Sequence, residues 1–242
     1  MTELSEPAKL DDIEKIDGQK SILLIAPHGV ESEPDEDTAT AELTRKIRDN
    51  LGCTAVINTV FRKPTGKKPE KRNGGTPSFK AKVLNLNLVK QAEQVPEFIS
   101  SIKNVVDSEG QTYVFWIHGI KDENITRNTD CLIGYGQPNK EEEAHFTSKE
   151  GTIQDLVKQF QANGIKAVKA AVNSNYRGWK TTNMNQWLRL EGYSFEQAQS
   201  IQLEFKQTGI RDKDCIKSAS KKIANAISAL VQPAEKNIES SA

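Results

Sequence analysis

Two apolar runs in this chain each lead into a His-Gly pair, and they constrain the fold more than any other feature. Residues 21–26 (SILLIA) reach His28-Gly29 through Pro27, and residues 113–117 (YVFWI) meet His118-Gly119 directly. An apolar run without polar alternation belongs to a strand covered on both faces. Further strands are expected at 54–60, 131–135, 166–172 and 200–205, with a brief return to the sheet at 83–89. Helices are expected at 37–50, 95–108, 152–163 and 213–231. The first opens with acids, closes with bases and stops at Gly52, and the second has Pro96 at its start. Strands alternating with helices of this length predict a three-layer α/β/α sandwich with a mixed, mostly parallel central sheet.

The expected organisation is a polar N-terminal arm at 1–19, loose or a short surface helix, then one domain at 20–232 and a flexible tail at 233–242. A length of 242 residues suits a single α/β core. The 33 basic and 33 acidic side chains cancel, which argues against wholesale nucleic-acid binding. No apolar run approaches the ~20 residues of a membrane span. The first residues are acidic, so no secretory signal is expected there. Cys53, Cys131 and Cys215 are odd in number and show no CxxC pairing, which fits a reducing, cytoplasmic setting.

In an open α/β sheet, ligands bind beyond the carboxyl ends of the strands. His28 and His118 both fall there, each with a glycine after it that frees room for a ligand. His28 and Glu31 are spaced so that a tight turn brings them to one cation. Two imidazoles and one carboxylate leave a fourth position open, which is the donor set of a catalytic zinc. Glu204 is a lone acid in the strand SIQLEF, costly unless it works or is paired, and is the candidate general base. The third histidine, His145, lies in a solvated stretch and reads as surface. The acids of ESEPDED (31–37) read as a helix-start cluster, with only Glu31 singled out.

In order, APHGVES, VLNLN, WIHGI, TDCLIGYG, VNSNYRGWKTTN and IQLEF resemble the N-formylglutamate amidohydrolase family, within the wider zinc carboxypeptidase and aspartoacylase-like superfamily. The resemblance runs from about residue 25 to 206. It implies a zinc ion held by His28, Glu31 and His118, with Glu204 as general base and acid. It also implies substrate contacts from Asn87 and from the loop Asn175-Tyr176-Arg177-Gly178. The family's Asp-Leu-Asn-Arg motif appears here as Asn85-Leu86-Asn87-Leu88, so the arginine that grips a substrate carboxylate is replaced by leucine.

Arg62 and Arg177 are the candidate cations for oxyanion stabilisation. The expected activity is hydrolysis of an amide bond in an N-acyl amino acid, a γ-glutamyl compound or a peptide-like substrate. Two other classes stay open. One is a zinc-hydrolase-like binding protein without turnover. The other is an interaction module using the basic loop 62–72, which has six positive charges in eleven residues, on a polyanion.

Overall fold

The computed structural model describes residues 13–29, 37–61, 84–108, 110–138 and 143–231. In chain order the strands are β1 (Ile13–Ile16), β2 (Gln19–Ala26), β3 (Cys53–Asn58), β4 (Thr112–Ile120), β5 (Cys131–Gly134), β6 (Ala167–Lys169) and β7 (Ala198–Lys206). The helices are α1 (Thr40–Leu51), α2 (Val89–Ala92), α3 (Pro96–Val106), α4 (Glu150–Ala162), α5 (Met184–Leu190) and α6 (Ile216–Val231). One sheet has the order β1-β3-β2-β4-β7-β5-β6. β3, β2, β4 and β7 run parallel to their neighbours, while β1 joins β3 antiparallel and β5 joins β7 antiparallel.

β2 is apolar from Ile22 to Ala26 because both of its faces are covered there. Ile22, Leu24 and Ala26 enter one core, together with Leu43 and Ile47 of α1, Leu156 and Phe160 of α4, and Ile223 and Ile227 of α6. Leu23 and Ile25 enter the other, with Phe98 and Ile102 of α3 and Trp187 of α5. Burying such a side chain stabilises the fold by about 1.5–3 kcal/mol, so every position of the run contributes to one core or the other. The expected three-layer sandwich is the observed one.

Several local expectations change. The sheet begins inside the segment read as an arm: Ile13–Ile16 pairs with β3, and Ile13 is buried. The Glu14 carboxylate of this strand receives Arg45 of α1, with Nη2 2.7 Å from Oε2. α1 starts at Thr40, not at 37, which leaves Asp37 outside the helix. Residues 84–87 turn instead of returning to the sheet, and Leu88 contributes only an isolated bridge to Asn183 before α2. β6 is three residues long, and Val168 within it and Val172 after it are exposed. β4 continues past Ile117 through Ile120, so His118 and Gly119 lie within a strand and not in the loop after it. α5 was not expected at all. Among the described residues, no helix is long and apolar enough to cross a membrane.

Candidate metal and catalytic site

β2, β4 and β7 are adjacent and parallel, so their carboxyl ends lie at one edge of the sheet. His28 sits in the turn just after β2, and His118 lies near the end of β4. Their ring centroids are 5.2 Å apart with planes at 66°. Gly29 lets the turn after β2 pack against the end of β3, because a Cβ there would come within 2.6 Å of the Asn58 carbonyl oxygen.

Between the imidazoles stands Asp37, from the segment that leads into α1. His28 Nδ1 is 3.0 Å from Asp37 Oδ2, and His118 Nδ1 is 3.4 Å from Asp37 Oδ1. The backbone N–H of Gly119 donates to the same Oδ1 at 2.9 Å. All three side chains are buried. Burial alone would push the Asp37 carboxyl up. The charge of His28 and the hydrogen bonds from His118 and His28 outweigh it, and hold the carboxyl well below its ordinary value.

Asn85 decides which His28 nitrogen faces this group. The Asn85 Oδ1 accepts the backbone N–H of Asn87 at 3.0 Å, which identifies it as the oxygen end of the amide. His28 Nε2 lies 2.8 Å from that oxygen and must therefore be the donor. Nδ1 is left to face Asp37 or a cation, the arrangement by which an outer hydrogen bond fixes the tautomer of a metal-binding histidine.

One donor atom from each of His28, Asp37 and His118 can be chosen so that all lie within 4.8 Å of one another. Ligands around a tetrahedral zinc with bonds of about 2.0–2.2 Å stand roughly 3.3–3.6 Å apart. The set therefore fits a divalent ion of zinc's size and preference with only small movements, and it consists of nitrogen and carboxylate oxygen donors that suit zinc.

Glu204 is the direct partner of His118 in the β4–β7 register. Parallel partners share a face of the sheet, so the carboxylate lies on the same side as the imidazole. Glu204 is buried, and Gln202 Nε2 donates to its Oε1 at 2.7 Å. His28, His118 and Glu204, chosen from sequence, are thus brought to one sheet edge.

The other expected site residues fall differently. Glu31 and Arg62 lie outside the described residues, as does the basic loop 62–72. Arg177 is buried in a short 3₁₀ turn with Asn175, which is exposed, and Tyr176, which is half-buried. Its Nε donates to the Ser174 carbonyl at 2.9 Å and its Nη1 to the Gln137 carbonyl at 3.3 Å, with the guanidinium over the Trp179 ring. These contacts fix the loop in which Arg177 sits. That loop presses on β5 so closely that a Cβ at Gly134 would meet the Tyr176 carbonyl oxygen at 2.3 Å. The Oδ1 of Asn87 is buried and has no hydrogen-bond partner among the described residues.

Sequence reasoning missed Asp37, Asn85 and Gln202. A signal for Asp37 existed: an acid at the start of the helix after β2 must fall at the carboxyl edge of the sheet. The acids around it hid that signal by reading as one helix-start cluster.

No family model matches the chain, and no curated protein matches it. Among solved structures it is similar to N-formylglutamate amidohydrolase from Ralstonia eutropha, at 11% identity and a TM-score of 0.54, over 92% of this chain and 96% of that one. It is similar to a gene product of Agrobacterium tumefaciens at 11% identity and a TM-score of 0.52, over 91% and 96% of the two chains. A metallo-carboxypeptidase from Burkholderia cenocepacia aligns at 12% identity and a TM-score of 0.50, over 92% of this chain and 66% of that one. The fold of this chain is therefore the one that its resemblance to the N-formylglutamate amidohydrolase family implies, carried over nearly its whole length.

Proposed function

We propose that this chain is a zinc-dependent hydrolase that cleaves an amide bond in an N-acyl amino acid, a γ-glutamyl compound or a peptide-like substrate. The observation that carries this reading is the convergence of His28, Asp37 and His118 with Glu204 one strand away. His28, His118 and a carboxylate would hold the metal. Asp37 is the carboxylate supported by geometry, and Glu31 the one supported by the resemblance and by its spacing from His28.

A bound zinc ion would supply Lewis acidity, lowering the pKa of a water beside it toward ~7 and polarising the scissile carbonyl. Glu204 accepts the proton of the attacking water and delivers it to the leaving nitrogen. Gln202 holds one oxygen of that carboxylate, which limits its rotation. Asn85 keeps His28 in the tautomer that offers Nδ1. Arg177 and Arg62 are proposed to face the developing oxyanion, and Asn87, Asn175 and Tyr176 the substrate. Leu88 stands where the family has a carboxylate-gripping arginine, so the substrate proposed here need not carry a carboxylate at that point. Three free cysteines fit a cytoplasmic setting.

Metal analysis after exhaustive dialysis tests the reading, together with a hydrolysis screen of N-acyl amino acids, γ-glutamyl amides and peptides. About one zinc per chain is expected, lost in His28→Ala along with activity. Asp37→Asn and Glu31→Gln, titrated against a competing chelator, divide the carboxylate role between them. Wild-type protein that neither retains nor takes up zinc would sink the proposal.

A further inference from the structure

Arg211 is buried in the turn after β7, and its guanidinium reaches three separate segments of backbone. Nε donates to the carbonyl of Phe205 at 2.9 Å, Nη2 to that of Ile120 at 3.2 Å, and Nη1 to that of Thr38. Phe205 follows Glu204, Thr38 follows Asp37, and Ile120 comes two residues after His118. One side chain therefore binds the main chain one or two residues beyond each of three residues of the site, on β7, on β4 and on the segment that leads into α1.

The turn that carries Arg211 is itself held in place. Asp122 accepts the backbone N–H groups of Gln207 at 2.9 Å and Thr208 at 3.2 Å. The Asp212 carboxylate accepts the N–H of Cys215 at 2.9 Å, closing the turn onto the start of α6. A planar guanidinium sends donors in several fixed directions at once, which a lysine ammonium on a flexible stem does not. Taking such a charge out of water is unfavourable even after relaxation, so a buried arginine is a costly way merely to tie strand ends together.

We infer that Arg211 is the positioning residue of this site, setting the spacing of Asp37, His118 and Glu204 through the backbone that carries them. The functional part of the inference rests on the metal-hydrolase reading above, whereas the positioning part does not. Group spacing at a metal or catalytic centre must be held to within about 0.5 Å, and three segments from three elements have no covalent means of keeping it.

Amide hydrogen exchange on the metal-free full chain separates positioning from general stabilisation. The reporter is the Gly119 N–H, whose bond to Asp37 Oδ1 spans two of the three segments; the Phe115 N–H, in the middle of β4, is the reference. In Arg211→Lys, exchange at Gly119 should accelerate by about 10-fold or more relative to Phe115. Zinc affinity, read by competition with a chromophoric chelator, should fall by about 10–100-fold, the usual effect of losing an outer support of a metal site. Arg211→Gln serves as a second variant should the lysine form not fold.

Equal loss of protection at Gly119 and Phe115 would overturn the inference. So would unchanged zinc affinity in a folded variant while wild type binds zinc. If neither variant folds, Arg211 is a requirement of the fold and not of the site, and the inference falls. Wild-type protein without zinc affinity would overturn the metal reading alone and leave the exchange comparison to decide Arg211.

Discussion

Ile201, Leu203 and Phe205 point from one face of β7 into the core shared with α4 and α6, while Ser200, Gln202 and Glu204 point from the other. Both sets are buried. The first set needs no partners beyond close packing. Every member of the second has a hydrogen-bonding partner: Ser200 accepts the Trp116 Nε1–H at 2.8 Å and donates to Asn185 Oδ1 at 3.0 Å, and Gln202 donates to Glu204. Buried polar groups cost free energy unless satisfied, so a strand keeps a polar face inside only where surrounding elements supply partners. Trp116 of β4 and Asn185 of α5 do so for Ser200, and Asn185 is held in turn by Thr147, with Nδ2 3.2 Å from Oγ1. Gln202 bonds Glu204 along the strand, and its Oε1 has no partner among the described residues. The difference between the faces is one of purpose. One face holds the layers together, and on the other Glu204 stands beside His118 of the neighbouring strand.

If that division is right, substitutions on the two faces should fail in opposite ways. The largest effect is expected from Glu204→Gln, which should lower turnover by about 10²–10⁴-fold, the worth of a positioned general base. Zinc content and melting temperature should stay near wild type, since a glutamine still offers Gln202 an acceptor oxygen. A lowered melting temperature with near-normal turnover per folded molecule would make Glu204 a structural carboxylate. Next in size is Leu203→Ala, which leaves a cavity and should cost about 2–5 kcal/mol of stability in urea unfolding. Its zinc affinity should be unchanged, and a loss of affinity comparable to that of an Asp37 variant would break the comparison.

The apolar face of β7 and both faces of β2 were legible in the sequence because apolar burial leaves a pattern in the residues themselves. The same holds for His28, His118 and Glu204, which follow or interrupt such runs. Partnership leaves no comparable pattern. Asn185 and Gln186 are buried within α5, so the helix MNQWLRL shows no clean apolar stripe and is only seven residues long. Asp37 reads as one more acid before a helix, and nothing in the charged run of Arg211, Asp212, Lys213 and Asp214 sets the arginine apart. What sets Asp37 and Arg211 apart is their closeness to segments 80 or more positions away, created by the parallel crossovers. The SILLIA run predicts that a crossover exists, but not which polar side chain it delivers to a given carbonyl.

The smallest expected effect probes the polar face away from the chemistry. Ser200→Ala deletes one hydroxyl that is both acceptor and donor, and it leaves the Trp116 indole N–H and the Asn185 carboxamide oxygen buried with a partner lost. An unsatisfied buried donor costs about 1–3 kcal/mol, so urea unfolding should show a loss in that range. Deleting one oxygen removes far less volume than Leu203→Ala does, so cavity formation contributes little and the cost is electrostatic. The reading can be checked on the donor side. Replacing Trp116 by Phe in the Ser200→Ala background removes the stranded N–H, and the double variant should then be less destabilised than the two single losses added together. Simple additivity would mean that the Trp116–Ser200 bond contributes nothing measurable. The polar face of β7 would then be tolerated at this position and not sustained by its partners.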